Sequence, residues 1–225
     1  MRNSLIGASV LAGVAACFLV AMLTLAVMSG GVTQQKFETL SPITAYTLAL
    51  ANAKPAMSAT LALDNLFIIL YVASLAIGLS ALGGPATRAA TVLSVAGMVG
   101  VGLFDFAENL HFVTMYAQLD AGMAIAPDQV ARQMWASLLK WHIAYFALFM
   151  ASFVIAERGA GLLGAILVWS LRLVLPVVGV LSYSAPDALQ PLFFLARYGL
   201  MLSGFLLFAW VFAASAGATK GGAGA

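Results

Sequence analysis

Residues 89–116, AATVLSVAGMVGVGLFDFAENLHFVTMY, decide the fold that we expect for this chain. The stretch is long and apolar enough to cross a bilayer, because a membrane helix needs about 20 predominantly apolar residues. Its second half nevertheless carries Asp105, Glu108 and His111. A charge at the bilayer centre costs roughly 2.5–3.5 kcal/mol on insertion scales, so such groups face the interior of a helix bundle. The stretch therefore predicts a membrane bundle with a polar site inside it.

Five further apolar stretches have a similar length. They cover residues 5–28, 58–82, 134–156, 161–181 and 192–214. Together the six predict an all-α polytopic membrane bundle of six transmembrane helices, a single domain over residues 1–216. A Gly/Ala-rich segment at 217–225 is predicted to be a flexible tail.

The composition excludes several classes of protein. The chain has 225 residues, of which 63% are hydrophobic and 8% are charged, and this balance excludes an ordinary soluble domain. The formal net charge of +2 is too small and too scattered to indicate a nucleic-acid partner. The single cysteine, Cys17, excludes an internal disulfide and a cysteine-based metal motif.

The N-terminal stretch allows two interpretations. Arg2 followed by an apolar run to Met28 could be a cleaved signal peptide. The run is longer than the usual apolar region of a signal peptide, which has about 7–15 residues. We therefore expect a retained first helix.

The loops carry the signals for orientation. With the N-terminus inside, the basic residues on the cytoplasmic side are Arg2, Arg88, Arg158 and Lys220, and those outside are Lys36, Lys54 and Arg132. This small excess predicts a multi-pass protein of the cell membrane with both termini in the cytoplasm. The first loop, 29–57, is the longest, and its apolar segment 43–53 is predicted to form a short interfacial helix.

The charges within the membrane are predicted to share one depth. In an up-down bundle they all fall in the half of the membrane nearer the first, third and fifth loops. On the third helix, Asp105 and Asn109 share a face and Glu108 lies about 60° away. Two carboxylates so close in a low dielectric repel each other, so at least one should be protonated or paired. Lys140 on the fourth helix is the obvious counter-ion for Asp64, Asp105 or Glu108.

These considerations give a set of candidate site residues. As catalytic groups we predict Asp105, Glu108 and Lys140, with a packing clamp of hydrogen bonds as the alternative. As ligand-binding groups we predict Asp64, Asn65, Tyr71, Asn109, Arg172 and Arg197. Asp64 and Tyr71 share a helix face with Phe67. The two arginines suit planar anions such as carboxylates or phosphates, and the alternative for Arg197 is snorkelling to the interface.

The two histidines, His111 and His142, are candidate metal ligands. They lie on consecutive helices at a similar predicted depth, so they could meet. Two facing histidines can bind haem b axially, and with a carboxylate they could hold Zn²⁺. We do not favour either cofactor, because ordinary hydrogen bonding explains a buried histidine equally well.

The motifs of helices two to four resemble a pattern in small, uncharacterised multi-pass bacterial membrane proteins. The pattern is Asp64-x-x-Phe67-Ile68-x-x-Tyr71, then Phe104-Asp105-x-x-Glu108-Asn109, then Lys140. The resemblance implies that these residues act as a unit, and it implies no reaction.

The sequence thus predicts a polar intramembrane site that binds or processes a small or lipidic ligand, in an enzyme or a proton-coupled transporter. The expected partners are membrane lipids and a small-molecule or lipid ligand, and the alternatives are membrane-protein partners or a homo-oligomer. One alternative is a structural or accessory subunit of a larger membrane complex. Another is a haem- or zinc-binding protein that uses the two histidines.

Overall fold

The structure is a computed structural model that describes residues 1–38, 42–158, 161–184, 186 and 188–221. The described chain is helical throughout, as predicted. Its helices are α1 (Arg2–Met28), α2 (Ile43–Leu82), α3 (Arg88–Asp120), α4 (Pro127–Ala156), α5 (Gly161–Trp169), α6 (Leu175–Ser184) and α7 (Gln190–Gly221). A 3-10 turn at Gln34–Phe37 follows α1, and a π-helical turn at Ser170–Val174 joins α5 to α6.

Six helical segments of the described chain are long and apolar enough to cross a membrane, which confirms the predicted fold class. Five are α1, α2, α3, α4 and α7, and the sixth is the run Gly161–Ser184, which we call the fifth span. α7 continues through the first part of the predicted tail, and residues 222–225 lie outside the described residues.

The six spans form a closed ring. α1 packs against α2 and α7, α3 packs against α2 and α4, and the fifth span packs against α4 and α7. Ser74 on α2 donates a hydrogen bond to the Ala8 carbonyl at 2.7 Å, and Ser9 on α1 donates to the Ala209 carbonyl on α7 at the same distance. The ring leaves space at its centre, and the site described below lies there.

Small residues set the closest approach between neighbouring helices. A Cβ atom added at Gly97 on α3 would lie 2.7 Å from the Ala147 Cβ on α4. One added at Gly102 would lie 2.8 Å from a methyl of Val72 on α2. Glycine at these positions therefore lets α3 contact both neighbours closely, as small residues do in membrane bundles.

The first loop is shorter than predicted, and the expectation of a separate interfacial helix at 43–53 was wrong. These residues form the first part of α2, which runs on without a break through Pro55. The whole helix is about 60 Å long, against about 30 Å for the hydrocarbon core. Tyr46, Leu50 and Ala53 are buried in a second apolar cluster that includes Phe112 of α3. This segment packs on protein, so it continues the helix instead of lying flat on the lipid surface.

The arrangement of the spans predicts that both ends of the chain lie on the same side of the membrane, because six is an even number. Reporter fusions at the N- and C-termini should therefore give the same compartment. A fusion inserted at Gly122, between α3 and α4, should give the opposite one. Termini found in different compartments would contradict the six-span arrangement.

Candidate functional site

The centre of the polar site is the ammonium group of Lys140 on α4. Its Nζ lies 2.9 Å from Asp105 Oδ1 and also contacts Glu108 Oε2, and both carboxylates project from α3. All three side chains are buried. This arrangement confirms the predicted convergence of the α3 carboxylates with Lys140. One cation is shared by two anions, so α3 and α4 are tied together at this level.

The remaining carboxylate oxygens of this triad have partners as well. The Tyr71 hydroxyl of α2 donates to Asp105 Oδ2 at 3.1 Å. The Gln133 amide donates to Glu108 Oε1 at 3.1 Å, and its own oxygen accepts from the Tyr46 hydroxyl at 3.2 Å. These hydrogen bonds connect the Lys140 triad on α3 and α4 to α2 at two positions, Tyr71 and Tyr46.

Asp64 on α2 has a different environment, because amides surround it. Its Oδ2 accepts from Asn109 Nδ2 at 2.7 Å and from Gln34 Nε2 at 3.4 Å. The Asn109 amide also donates to Asn65 Oδ1 at 3.0 Å and accepts from Gln34 at 2.7 Å. Among the described residues, no lysine or arginine forms an ion pair with Asp64. The predicted ligand-binding residues Asp64, Asn65 and Asn109 therefore form one polar group with Gln34.

Sequence reasoning missed the contribution of the first loop. The 3-10 turn after α1 folds back into the ring and buries Glu38, whose side chain is 1% exposed. Glu38 Oε2 accepts from Arg197 Nη2 at 2.7 Å and from the Tyr183 hydroxyl at 3.2 Å. Glu38 Oε1 accepts from the Trp141 indole at 3.1 Å. The only sequence signal was the polar run QQKFE at 34–38, inside a loop otherwise rich in apolar residues.

Arg197 is the second buried cation of the site, and its side chain is fully buried. Its guanidinium lies 3.8 Å from the centroid of the Trp141 ring. With the Gln35 amide oxygen turned toward it, that oxygen accepts from Nη2 at 3.1 Å and from Nε at 3.3 Å. Arg197 therefore neutralises a buried carboxylate and does not snorkel to the interface.

The charge of Glu38 contributes to stability at neutral pH. Burial disfavours the ionised form, but the charges of Arg197 and Lys140, together with the hydrogen bonds from Arg197 and Trp141, outweigh burial and hold the pKa of Glu38 below its usual value. A carboxylate with a lowered pKa stabilises the fold above its unfolded-state pKa, and that contribution is lost as the pH falls through the lowered value.

The polar groups line one end of a cavity of about 120 Å³ at the centre of the ring. The polar end consists of Gln34, Gln35, Glu38, Asp64, Asp105 and Lys140. The opposite end is apolar and includes Leu75, Met98, Val101, Leu148, Leu171, Leu175 and Phe208. Asp64 and Leu75 lie three turns apart on α2, about 16 Å, so the cavity extends along the helix axes. Of the described residues, Glu108 belongs to the ionic triad but not to the cavity lining.

Arg172 lies apart from this cluster. Its Nε donates to the Ser152 hydroxyl at 3.0 Å, and its guanidinium lies 4.5 Å from the Phe153 ring centroid. Trp169, one turn earlier, contributes a second ring at 5.9 Å. The structure thus places Arg172 between α4 and the fifth span, while the other predicted ligand-binding residues surround the ring centre.

The structure does not bring the two histidines together. His111 Nδ1 lies 3.3 Å from Gln129 Nε2, whereas His142 Nδ1 lies 2.8 Å from the Leu138 carbonyl. Gln129 and His142 are both on α4 and are about 20 Å apart along it. The expectation that these rings could meet was therefore wrong. The described residues include no group of three or more His, Cys, Asp or Glu side chains arranged to hold a metal ion.

A comparison of the chain with protein-family models, with curated proteins and with solved structures gives no significant match in any of the three. The resemblance of helices two to four to small bacterial membrane proteins therefore stays an expectation.

Because two carboxylates share the cation of Lys140, replacing Lys140 should destabilise the protein more than replacing one of the carboxylates. Lys140→Met leaves two buried carboxylates without a counter-ion, and stranding a buried charge costs about 3–5 kcal/mol. Asp105→Asn leaves the contact between Lys140 and Glu108 intact, so it should cost less. Unfolding of the purified variants by denaturant in mixed micelles measures both changes.

The control for these variants is Arg132→Met, which breaks an exposed pair with Asp128 that should be worth roughly 0–1 kcal/mol. An effect of Lys140→Met no larger than that of Asp105→Asn would contradict the shared-cation arrangement.

The buried pair between Glu38 and Arg197 predicts strong coupling. Glu38→Gln and Arg197→Gln should each destabilise the protein, and the double variant should lose less than the sum of the two. The coupling free energy should be at least about 1 kcal/mol, as for contacting buried groups. The same double-mutant cycle on the exposed pair of Lys54 and Asp120 is the control. Additive effects at Glu38 and Arg197 would show that the two side chains are not direct partners.

Proposed function

We propose that this six-helix membrane protein binds an amphiphilic ligand in its central cavity. The polar head of the ligand lies among the buried ionic groups, and its apolar chain lies between the helices below them. One observation carries the proposal: the cavity has a polar end and an apolar end, aligned with the helix axes.

The polar end suits recognition of a head group. Ligand sites in proteins are mostly apolar and contain a few placed polar groups that fix orientation. Here Lys140 and Arg197 are already paired with carboxylates, so these walls keep their geometry without a ligand. Pre-organised polar groups of this kind reduce the ordering cost of binding.

The apolar end suits an alkyl chain. Its lining side chains are mainly leucine, methionine, valine and phenylalanine. Water that fills such a space finds few hydrogen-bond partners, and a chain that displaces it gains from the burial of apolar surface. A structural subunit would use the same ion pairs to hold its helices, but it has no need of a cavity between them.

Binding is the step that an enzyme and a transporter share. In an enzyme, Asp105 is the better candidate for acid–base catalysis, because it lines the cavity and Glu108 does not. In a proton-coupled transporter, the cavity carboxylates would exchange protons as the ligand moves. In either case, with both termini in the cytoplasm, the polar end lies in the outer half of the membrane.

The proposal predicts that filling the cavity abolishes binding. Gly204 of α7 lines the cavity and has open space where a side chain would start. Gly204→Leu should therefore prevent entry of an alkyl chain. Gly199 lies on the same helix, also with open space around it, but it faces outward, so Gly199→Leu is the matched control.

Fluorescence of Trp141, which lines the cavity, can report binding directly. Trp135, Trp169 and Trp210 are exposed, so their replacement by phenylalanine leaves Trp141 as the single reporter. In nanodiscs, brominated single-chain amphiphiles should quench it saturably in the parent protein and in Gly199→Leu, and not in Gly204→Leu. Equal behaviour of the two leucine variants, or quenching that never saturates, would contradict the proposal.

A further inference from the structure

We infer that the ligand carries a cationic head, an amine or quaternary ammonium group, which binds between Asp64 and the aromatic rings below it. This inference rests on the proposed function and names the class of ligand.

Asp64 is the carboxylate of the site that is left available. Both of its hydrogen bonds reach Oδ2, from Asn109 and from Gln34. Its Oδ1 has no hydrogen-bond partner among the described residues, although the residue is only 6% exposed and lines the cavity. Because Asp64 lines the cavity and this oxygen accepts no hydrogen bond from a described residue, a ligand that supplies a charged donor at this point gains the interaction.

The charge balance of the site also favours a positively charged head group. Its described ionic groups comprise two cations and four carboxylates, namely Lys140 and Arg197 with Glu38, Asp64, Asp105 and Glu108. Lys140 already contacts two carboxylates, and Arg197 is held by Glu38. An anionic head would have to displace one of these pairs and would also face Asp64. A cationic head instead adds a counter-charge to Asp64, with which no described lysine or arginine forms an ion pair.

Aromatic rings extend the site directly below Asp64. Phe67 and Tyr71 follow on the same face of α2, one and two turns further along, and both line the cavity. Phe205 of α7 closes the group, with its ring centroid 5.3 Å from that of Phe67 and 6.2 Å from that of Tyr71. Aromatic faces attract ammonium groups, and most strongly where water is excluded. Beyond these rings the lining is apolar, so the class of ligand is a lipophilic amine.

The test compares three brominated chains of equal length that differ only in the head: a trimethylammonium, a neutral alcohol and a carboxylate. Each is titrated against the single-tryptophan protein in nanodiscs, with Trp141 quenching as the signal. The ammonium chain should bind more tightly than the other two by at least about tenfold, a factor that corresponds to about 1.4 kcal/mol. Asp64→Asn should remove this preference while the alcohol still binds. Asp128→Asn removes an exposed carboxylate elsewhere and should leave the preference unchanged.

The outcomes separate the two proposals. If none of the three chains quenches Trp141 saturably, the proposed function is wrong, and this inference with it. If the chains bind but show no preference for the ammonium head, or prefer the carboxylate, only the cationic assignment is wrong. A preference that persists in Asp64→Asn would also overturn the role of Asp64. The ranking of heads in the parent protein needs no variant, so it decides the sign of the head group even if Asp64→Asn fails to fold.

Discussion

The contact of one ammonium group with two carboxylates is the constraint on which the other features of the site depend. Lys140 meets Asp105 and Glu108 inside the bundle, where removing one partner would leave the others as costly buried charges. Both anions lie on α3 and the cation lies on α4, so the contact fixes the register of these helices. Hydrogen bonds from Tyr71 and through Gln133 to Tyr46 then align α2 with them. The polar side chains thereby fix the axial alignment of the three neighbouring spans α2, α3 and α4.

The second buried pair has the same effect on the other side of the ring. Glu38 attaches the first loop to α7 through Arg197, and to α4 through Trp141. Arg197 therefore pairs with Glu38 of the first loop, while Lys140 pairs with the two carboxylates of α3. Glu38 and Lys140, one residue from each ionic group, both line the polar end of the cavity.

The six spans and the triad around Lys140 could be predicted from the sequence. The length of each apolar run indicates a span, and the cost of an unpaired charge within a span indicates that Lys140 pairs with a carboxylate. The sequence was insufficient for Glu38, since a short 3-10 turn has no periodic pattern, and its burial depends on Arg197, which lies far away in the chain. The prediction that the two histidines could meet was wrong for a related reason. α4 begins at Pro127, well before its apolar stretch, so His111 aligns with Gln129 and not with His142. The distance of a histidine from the end of its apolar stretch therefore did not give its depth in the bundle.

At position 64, helix packing and ligand binding favour different side chains. An asparagine there would still hydrogen-bond with Asn109 and Gln34, and it would avoid the desolvation of a charge. A role limited to helix packing is therefore served better by an amide than by a carboxylate. The position also faces the cavity, directly above the rings of Phe67 and Tyr71. No described lysine or arginine forms an ion pair with Asp64, so an environment of one carboxylate, three neighbouring aromatic rings and an apolar space supports the proposed cationic head on an alkyl chain.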